Sequence, residues 1–250
     1  MELTGKTAII TGAGGQLGSR IVLALAHRGL NCLCHFNTNA ARAEQVVKGV
    51  EKLGCSAALF QADLSKQGFA PAMFKEADRL GPVRVVVNSA SVFSRQPLGT
   101  FSDRDVADML AVNLAAPLGI CNEFADYLLN EGADWKTVEE PFAAIINMTD
   151  VAGIRPWAGF APYCASRAGL IAVTLSLAKE LAPGVTVNAI APGIVTWPGK
   201  MDPAEEQNQL AKIPARRFGS PEDITRAVNY LLDSPYVTGQ TLTVDGGRSI

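Results

Sequence analysis

A doubly wound α/β domain, with parallel strands covered on both faces by helices, is predicted for this 250-residue chain by three observations. Short β-rich runs alternate with helical stretches along the whole sequence. The strand candidates are apolar on successive residues, as in strands buried on both faces, where half-solvated strands would alternate. No internal repeat, low-complexity tract or linker-like stretch divides the chain, so one domain, residues 1–250, is expected. Right-handed crossovers between such parallel strands wind the chain over both faces of the sheet.

Each element has its own signature. Lys6–Thr11 is a continuous apolar strand, and Gly15–Gly29 a helix ending at a glycine, a common stop residue. Leu30–Phe36 and Ala40–Gly54 form the next strand–helix pair; Ser56–Gln61, Phe69–Leu80 and the valine-rich Val83–Val87 follow. Asp103–Asn130 reads as one long helix bent near Pro117. Phe142–Met148, Tyr163–Leu181 and Val185–Ile190 give strand, helix, strand. Pro221–Leu232 is a helix with Ser220 as N-cap and proline at its first position, and Leu242–Val244 is the last strand. Two segments break the rhythm. Glu131–Pro141 is a polar insertion. Pro192–Ala215 is long, punctuated by Pro and Gly, and follows a strand's carboxyl end, the edge at which ligands bind in such sheets; it is a candidate substrate lid.

Composition narrows the class of function. With 22 basic and 24 acidic residues the formal charge is −2, and no basic run or basic–aromatic patch suggests nucleic acid. No apolar stretch approaches the ~20 residues a membrane helix needs. The start, Met1–Lys6, leads almost directly into a strand, leaving no room for a signal peptide. The five cysteines, Cys32, Cys34, Cys55, Cys121 and Cys164, lie in apolar contexts without a C-x-x-C pair, which reads as reduced thiols in a cytoplasmic protein. Two histidines and no clustered ligands argue against a metal site.

Chemistry concentrates at two places. The first turn, Thr11-Gly12-Ala13-Gly14-Gly15-Gln16-Leu17-Gly18, sits between a strand and a helix, where glycines let the backbone approach a pyrophosphate at the helix N-terminus. The second strand ends in His35-Phe36-Asn37-Thr38-Asn39, with no carboxylate to bind a ribose 2′-hydroxyl and with Arg42 close by. This favours NADP(H) over NAD(H); a polar turn capping the next helix explains the same residues, and both can hold. Asp63-Leu64 suits either an adenine contact or a turn cap, and Asn88 a tie between strands. The second place is Tyr163 and Arg167, four residues apart on one helix face, with Asp150 closing the strand before them. A cation beside a phenol lowers its pKa from about 10, as acid–base work on a carbonyl, imine or alcohol requires. A helix-start tyrosine beside a solvated arginine is the bland alternative.

These motifs together resemble the short-chain dehydrogenase/reductase family over essentially the whole chain. The match comprises the Thr11–Gly18 turn, Asp63-Leu64, Asn88-Ser89-Ala90, Val112-Asn113, the Tyr163 helix, Pro192-Gly193, Arg217–Ile224 and Thr238–Gly247. The resemblance implies a seven-stranded parallel Rossmann sheet, hydride transfer from a nicotinamide to a small-molecule substrate, and a homotetramer. Asn147-Met148-Thr149-Asp150, Ser89-Ala90-Ser91-Val92-Phe93 with Pro97-Leu98, and His35-Phe36-Asn37 look like the pteridine-reductase branch. Carried over by position, Tyr163 is the proton donor, Asp150 delivers or orients that proton, and Asn113 braces the route. Phe93 stacks on a planar pterin, and Ser91 contacts pterin or cofactor. Cofactor contacts fall at Gly12, Gly14, Gln16, Leu17 and Gly18, at His35, Asn37 and Thr38, and at Asp63 and Leu64. They continue at Asn88, Ser89 and Ala90, at Tyr163 and Arg167, and at Pro192, Gly193 and Val195. Phe93 as core and Asp150 as a turn cap remain as alternatives.

Two departures stand out. Gln16 replaces the glycine of the wider family and the arginine of the pteridine branch, so it supplies no charge. Arg167 replaces the usual lysine; it keeps a positive charge but cannot relay a proton. The reading is therefore an NADP(H)-dependent reductase of a pterin-like or carbonyl substrate. A 3-oxoacyl or small-ketone reductase is the enzymatic alternative, and a weakly active or inactive NADP-binding protein the non-enzymatic one.

Overall fold

The computed structural model describes residues 1–196 and 202–250. Seven parallel strands, β1 (Thr7–Ile10), β2 (Asn31–Phe36), β3 (Ala57–Gln61), β4 (Val83–Asn88), β5 (Ala143–Met148), β6 (Val185–Pro192) and β7 (Thr241–Val244), form one sheet. Its order is β3-β2-β1-β4-β5-β6-β7. The strand order reverses between β1 and β4, the switch point at whose carboxyl ends such sheets bind ligands.

Adjacent strand residues feed opposite faces, which explains the uninterrupted apolar runs. Ile10, Val85, Val87 and Ile146 pack on one face with Ile21, Val22 and Leu25 of α1 (Gln16–Ala26) and with Ile224, Val228 and Leu231 of α8 (Pro221–Asp233). Ile9, Val86 and Ile145 pack on the other with Phe74 of α3 (Ala70–Asp78) and Phe124 of α5 (Ala116–Asn130). In α1 the buried residues are Gly18, Ile21, Val22, Leu25 and Ala26, a one-sided helical stripe. Helix α8 begins with the expected Ser220 cap, completed by Asp223 into a reciprocal capping box. The second helix, α2 (Ala40–Lys52), is capped by Asn39, whose side chain accepts the Arg42 N–H.

The structure corrects two sequence expectations. Asp103–Asn130 is not one helix bent at Pro117. Helix α4 (Asp103–Leu110) passes through a π-helical turn, Ala111–Ala115, into α5. Pro117 lies in the first turn of α5, where a missing N–H breaks no helical bond. The segment 192–215 also contains a helix, α7 (Pro203–Ala211), capped by Asp202 with Pro203 at its start. Residues 197–201 of the expected lid lie outside the described residues.

Helix α6 (Ala161–Leu181) is seated by a buried polar chain. Asn88 Nδ2 donates to Asn147 Oδ1 (2.8 Å), and Asn147 Nδ2 donates to Thr174 Oγ1 (2.9 Å), linking β4, β5 and α6. Leu170 and Leu181 of α6 are buried, while Leu175 of α6 and Leu118 and Leu129 of α5 are exposed. Among the described residues no helix is long and apolar enough to cross a membrane, and no cluster of His, Cys, Asp or Glu could hold a metal ion. Asn147→Ala strands its two partners, and we expect it to lower unfolding stability by about 1–3 kcal/mol in urea titration.

Candidate active site

The turns after β1, β4, β5 and β6 converge at the carboxyl edge. Gly12 adopts φ +69°, and a Cβ there would fall 2.9 Å from Ala90 Cα, so the close approach of the first and fourth turns requires glycine. Thr11 Oγ1 closes the same gap by accepting the Ser89 and Ala90 N–H groups at 2.9 and 3.0 Å. The first turn of α1 has glycine at its N-cap, no capping side chain and no acidic residue, which leaves its positive end open to an anion. Gly14, Gln16, Leu17 and Gly18 all belong to this turn or to α1.

His35 serves the turn through internal bonds. Its Nδ1 accepts the Gly12 N–H (3.2 Å) and its Nε2 lies 3.0 Å from the Ala62 carbonyl. Burial pushes its pKa down, keeping it in the neutral form that this bonding requires. Both ring nitrogens are thus committed to the protein, and a contact to cofactor through them is not what the geometry offers. Beyond it Asn37 and Thr38 are exposed, and Arg42, also exposed, makes no ion pair among the described residues. Asp63 takes the cap alternative: its Oδ1 accepts from the Ser65 N–H (3.0 Å) and hydroxyl (2.7 Å), while Leu64 is buried. Asn88 is the strand tie already described. Pro192 ends β6, Gly193 donates its N–H to the Val244 carbonyl (3.0 Å), and Val195 packs on the first core. A Cβ on Gly193 would lie 2.8 Å from Asp245 Cα.

Tyr163, Asp150 and Arg167 are brought together, although their electrostatics differ from the expectation. Tyr163 donates its hydroxyl to Asp150 Oδ2 (2.8 Å), and Asp150 Oδ1 accepts the Ala152 N–H (2.7 Å), capping a 3-10 turn, Val151–Gly153. Asp150 is therefore both partner and cap. Gly153 lets this turn lie against α6, because a Cβ there would meet the Arg167 carbonyl carbon at 2.9 Å. Arg167 is buried, with its Cζ 5.1 Å from the Tyr163 ring centroid. Its Nη1 donates to the Met148 carbonyl (3.2 Å), its Nη2 donates to Ser91 Oγ, and its Nε has no partner among the described residues. Arg167 does pull the phenol's pKa down, but burial outweighs it, and with the adjacent Asp150 the Tyr163 pKa is raised above the ordinary value near 10. Spacing gave the contact but not the sign of the net shift. Burial likewise raises the Asp150 carboxyl; the Ala152 N–H, Tyr163, Arg167 and Arg248 oppose it without cancelling it.

Asn113, centred in the π-helical turn, has its Oδ1 accepting the Val92 N–H (2.9 Å) and its Nδ2 donating to the Val92 carbonyl (2.9 Å) and Ser166 Oγ (3.2 Å). It holds the 91–93 segment in strand-like fashion. Phe93 is 53% exposed, so it is no core residue. It stacks on Phe160 (5.2 Å, 14°) and meets the Tyr163 ring edge-on (4.8 Å). Trp157 and Phe160 extend this aromatic wall. Sequence reasoning passed over them, yet two aromatics in the six residues before Tyr163 were a visible signal.

The glycine turn and the uncapped start of α1 thus share the sheet's carboxyl edge with the Tyr163–Asp150 pair. A family profile described as short chain dehydrogenase matches residues 6–209, and the chain belongs to this family of oxidoreductases. It is 33% identical to 3beta-hydroxysteroid dehydrogenase 1 of Eggerthella lenta, covering 100% of this chain and 95% of that protein. It is 32% identical to the 3-oxoacyl-[acyl-carrier-protein] reductase FabG of Staphylococcus epidermidis, over 97% of this chain and 98% of the relative. Among solved structures, FolM alternative dihydrofolate reductase 1 from Brucella canis, complexed with NADP, superposes with a TM-score of 0.88 at 28% identity, covering 99% of this chain and 95% of that one.

The raised Asp150 pKa has a stability consequence. Below the ordinary carboxyl value of 3.8 the group is neutral in folded and unfolded chains alike. Above it the unfolded chain releases its proton first, so this residue's contribution to stability declines as pH rises through the window up to the folded value. Asp150→Asn does not titrate. Its urea midpoint relative to wild type should therefore rise between pH 4 and pH 8.

Proposed function

We propose that this protein is an NADPH-dependent reductase of a planar, pterin-like C=N substrate or a related carbonyl compound, with Tyr163 as proton donor. The observation that carries the reading is the Tyr163–Asp150 hydrogen bond facing the half-exposed Phe93 ring, stacked against Phe160. A flat ring system fits against Phe93 by offset stacking, and the donor hydroxyl stands beside it.

The residues present fit the cofactor. The Gly12 cradle and the uncapped start of α1 suit the pyrophosphate. Asn37, Thr38 and Arg42, with no carboxylate among Asn37–Asn39, suit a 2′-phosphate. When bound, the nicotinamide supplies the hydride. Arg167, whose donors are held by Ser91 and the Met148 carbonyl, supplies fixed positive charge beneath the Tyr163 ring.

The raised pKa keeps the Tyr163 phenol protonated at neutral pH, the state a donor needs. As the substrate heteroatom gains charge, Tyr163 releases its proton to it. Asp150, which accepts the Tyr163 hydroxyl, then passes a proton from water back to the phenolate oxygen. Such a route needs no lysine relay, so arginine at 167 is compatible with turnover. A second reading, reduction of a 3-oxoacyl or small ketone, is favoured by the FabG relative, and it uses the same donor.

Stopped-flow NADPH oxidation with dihydrobiopterin, dihydrofolate and acetoacetyl thioesters separates the two. We expect pterin turnover, and Tyr163→Phe should lower kcat by about 10²–10⁴-fold. Turnover of thioesters alone removes the pterin reading, and full activity in Tyr163→Phe removes the mechanism. Arg42→Ala should raise KM for NADPH by roughly tenfold while leaving KM for NADH nearly unchanged; equal effects on both cofactors would rule out a 2′-phosphate contact.

A further inference from the structure

The loop that carries Phe93 also carries a cation that the chemistry above does not use. Two residues beyond Phe93, the chain lies beside the segment leading into α6, and the Gln96 N–H donates to the Gly159 carbonyl (2.7 Å). Gly159 adopts φ +81°, and a Cβ there would fall 3.3 Å from Arg95 Nε, 3.5 Å from Nη2 and 3.6 Å from Cζ. A side chain at 159 would therefore both strain the backbone and crowd the guanidinium. The Arg95 fork is set down on this glycine, one residue before Phe160, whose ring stacks on Phe93 (5.2 Å).

Arg95 is exposed and forms no ion pair among the described residues. Asp105 and Asp108 of α4 and Asp150 are engaged elsewhere. Asp105 Oδ2 accepts the Ser102 N–H and hydroxyl (2.7 Å each), Asp108 faces Arg104 at 3.7 Å, and Asp150 accepts from Tyr163 and Ala152. A surface arginine usually ranges through water, and the entropy lost on fixing it cancels most of what a contact gains. Here the fork already rests against the Gly159 backbone, so an incoming anion meets a preorganised partner. A guanidinium takes either a carboxylate or a phosphate through paired N–H donors.

We propose that Arg95 is a specificity residue that binds an anionic group on the substrate's tail, so that this enzyme selects substrates with a negatively charged extension over their neutral counterparts. The part of the substrate to be reduced lies at the Phe93 ring beside the Tyr163 hydroxyl. An extension leaving it along Phe160 and Gly159 reaches the Arg95 fork. The proposal rests on the reading of Phe93 and Tyr163 as the substrate end of the site, and it names a feature of the substrate that this reading leaves open.

The test measures KM at saturating NADPH for two matched pairs. Dihydrofolate, whose glutamyl tail carries carboxylates, is set against neutral dihydrobiopterin. Acetoacetyl-CoA, whose tail carries phosphates, is set against the neutral acetoacetyl N-acetylcysteamine thioester. Arg95→Gln should raise the charged-to-neutral KM ratio about fivefold, and Arg95→Lys should restore most of it. Raising salt from about 50 to about 500 mM should raise the wild-type ratio, because the contact is exposed to screening, but not that of Arg95→Gln. A shift confined to the first pair assigns a carboxylate, and one confined to the second a phosphate. Ratios unmoved in both pairs overturn the proposal, even if Arg95→Gln melts earlier, since that pattern belongs to a loop brace. If Arg95→Gln does not fold, the wild-type salt response decides: a rising ratio supports the contact and a flat one rejects it. Pterin turnover with unmoved ratios refutes the anion contact and leaves the pterin reading standing. Thioester turnover alone, with a shifted ratio, does the reverse, and turnover of neither pair removes both.

Discussion

A phenol, a carboxyl and a guanidinium share one poorly hydrated corner between β5 and α6, and removal of water governs all three. Desolvation raises the Tyr163 and Asp150 pKa values against the pull of Arg167. In water an arginine four residues from a tyrosine would have little influence; in this corner its charge is felt, yet it does not prevail. Both groups therefore hold a proton more tightly than they would in water. Everything nearby maintains that corner. Gly153 lets the turn reach α6, the Asn88–Asn147–Thr174 chain fixes α6 on the sheet, and the aromatic wall of Phe93, Phe160 and Trp157 covers the open side.

Arginine in place of lysine at 167 acquires a structural rationale from this arrangement. A planar fork with several donors can satisfy Ser91 and the Met148 carbonyl at once while lying against a ring face. Arg167 thereby clamps the turn after β4 to the end of β5.

Much of this was legible in the sequence because it follows from periodicity and local chemistry. Valine-rich runs marked strands buried on both faces, the Ser220-Pro221 start marked α8, and the glycine turn marked the dinucleotide end. Other features were not legible, for physical reasons. A π-helical turn is a slip in backbone hydrogen bonding that leaves no distinctive side-chain pattern, so the visible Pro117 attracted the bend instead. Helix α7 was hidden among Pro and Gly, although Asp202-Pro203 followed by Glu205 and Glu206 is a sound start signal. His35 and Asp63 are satisfied internally, and that satisfaction depends on tertiary contacts that local spacing does not encode. The direction of the Tyr163 shift depends on depth of burial, which spacing does not encode.

Asn113 grips the main chain of Val92 from within a helical irregularity, so the strip of loop bearing Ser91 and Phe93 is keyed to the α4–α5 rod. Grafting that loop from a relative with different substrate taste would transplant only half of a lock. The helical slip has to travel with it, because Asn113 makes both Val92 hydrogen bonds from within that slip.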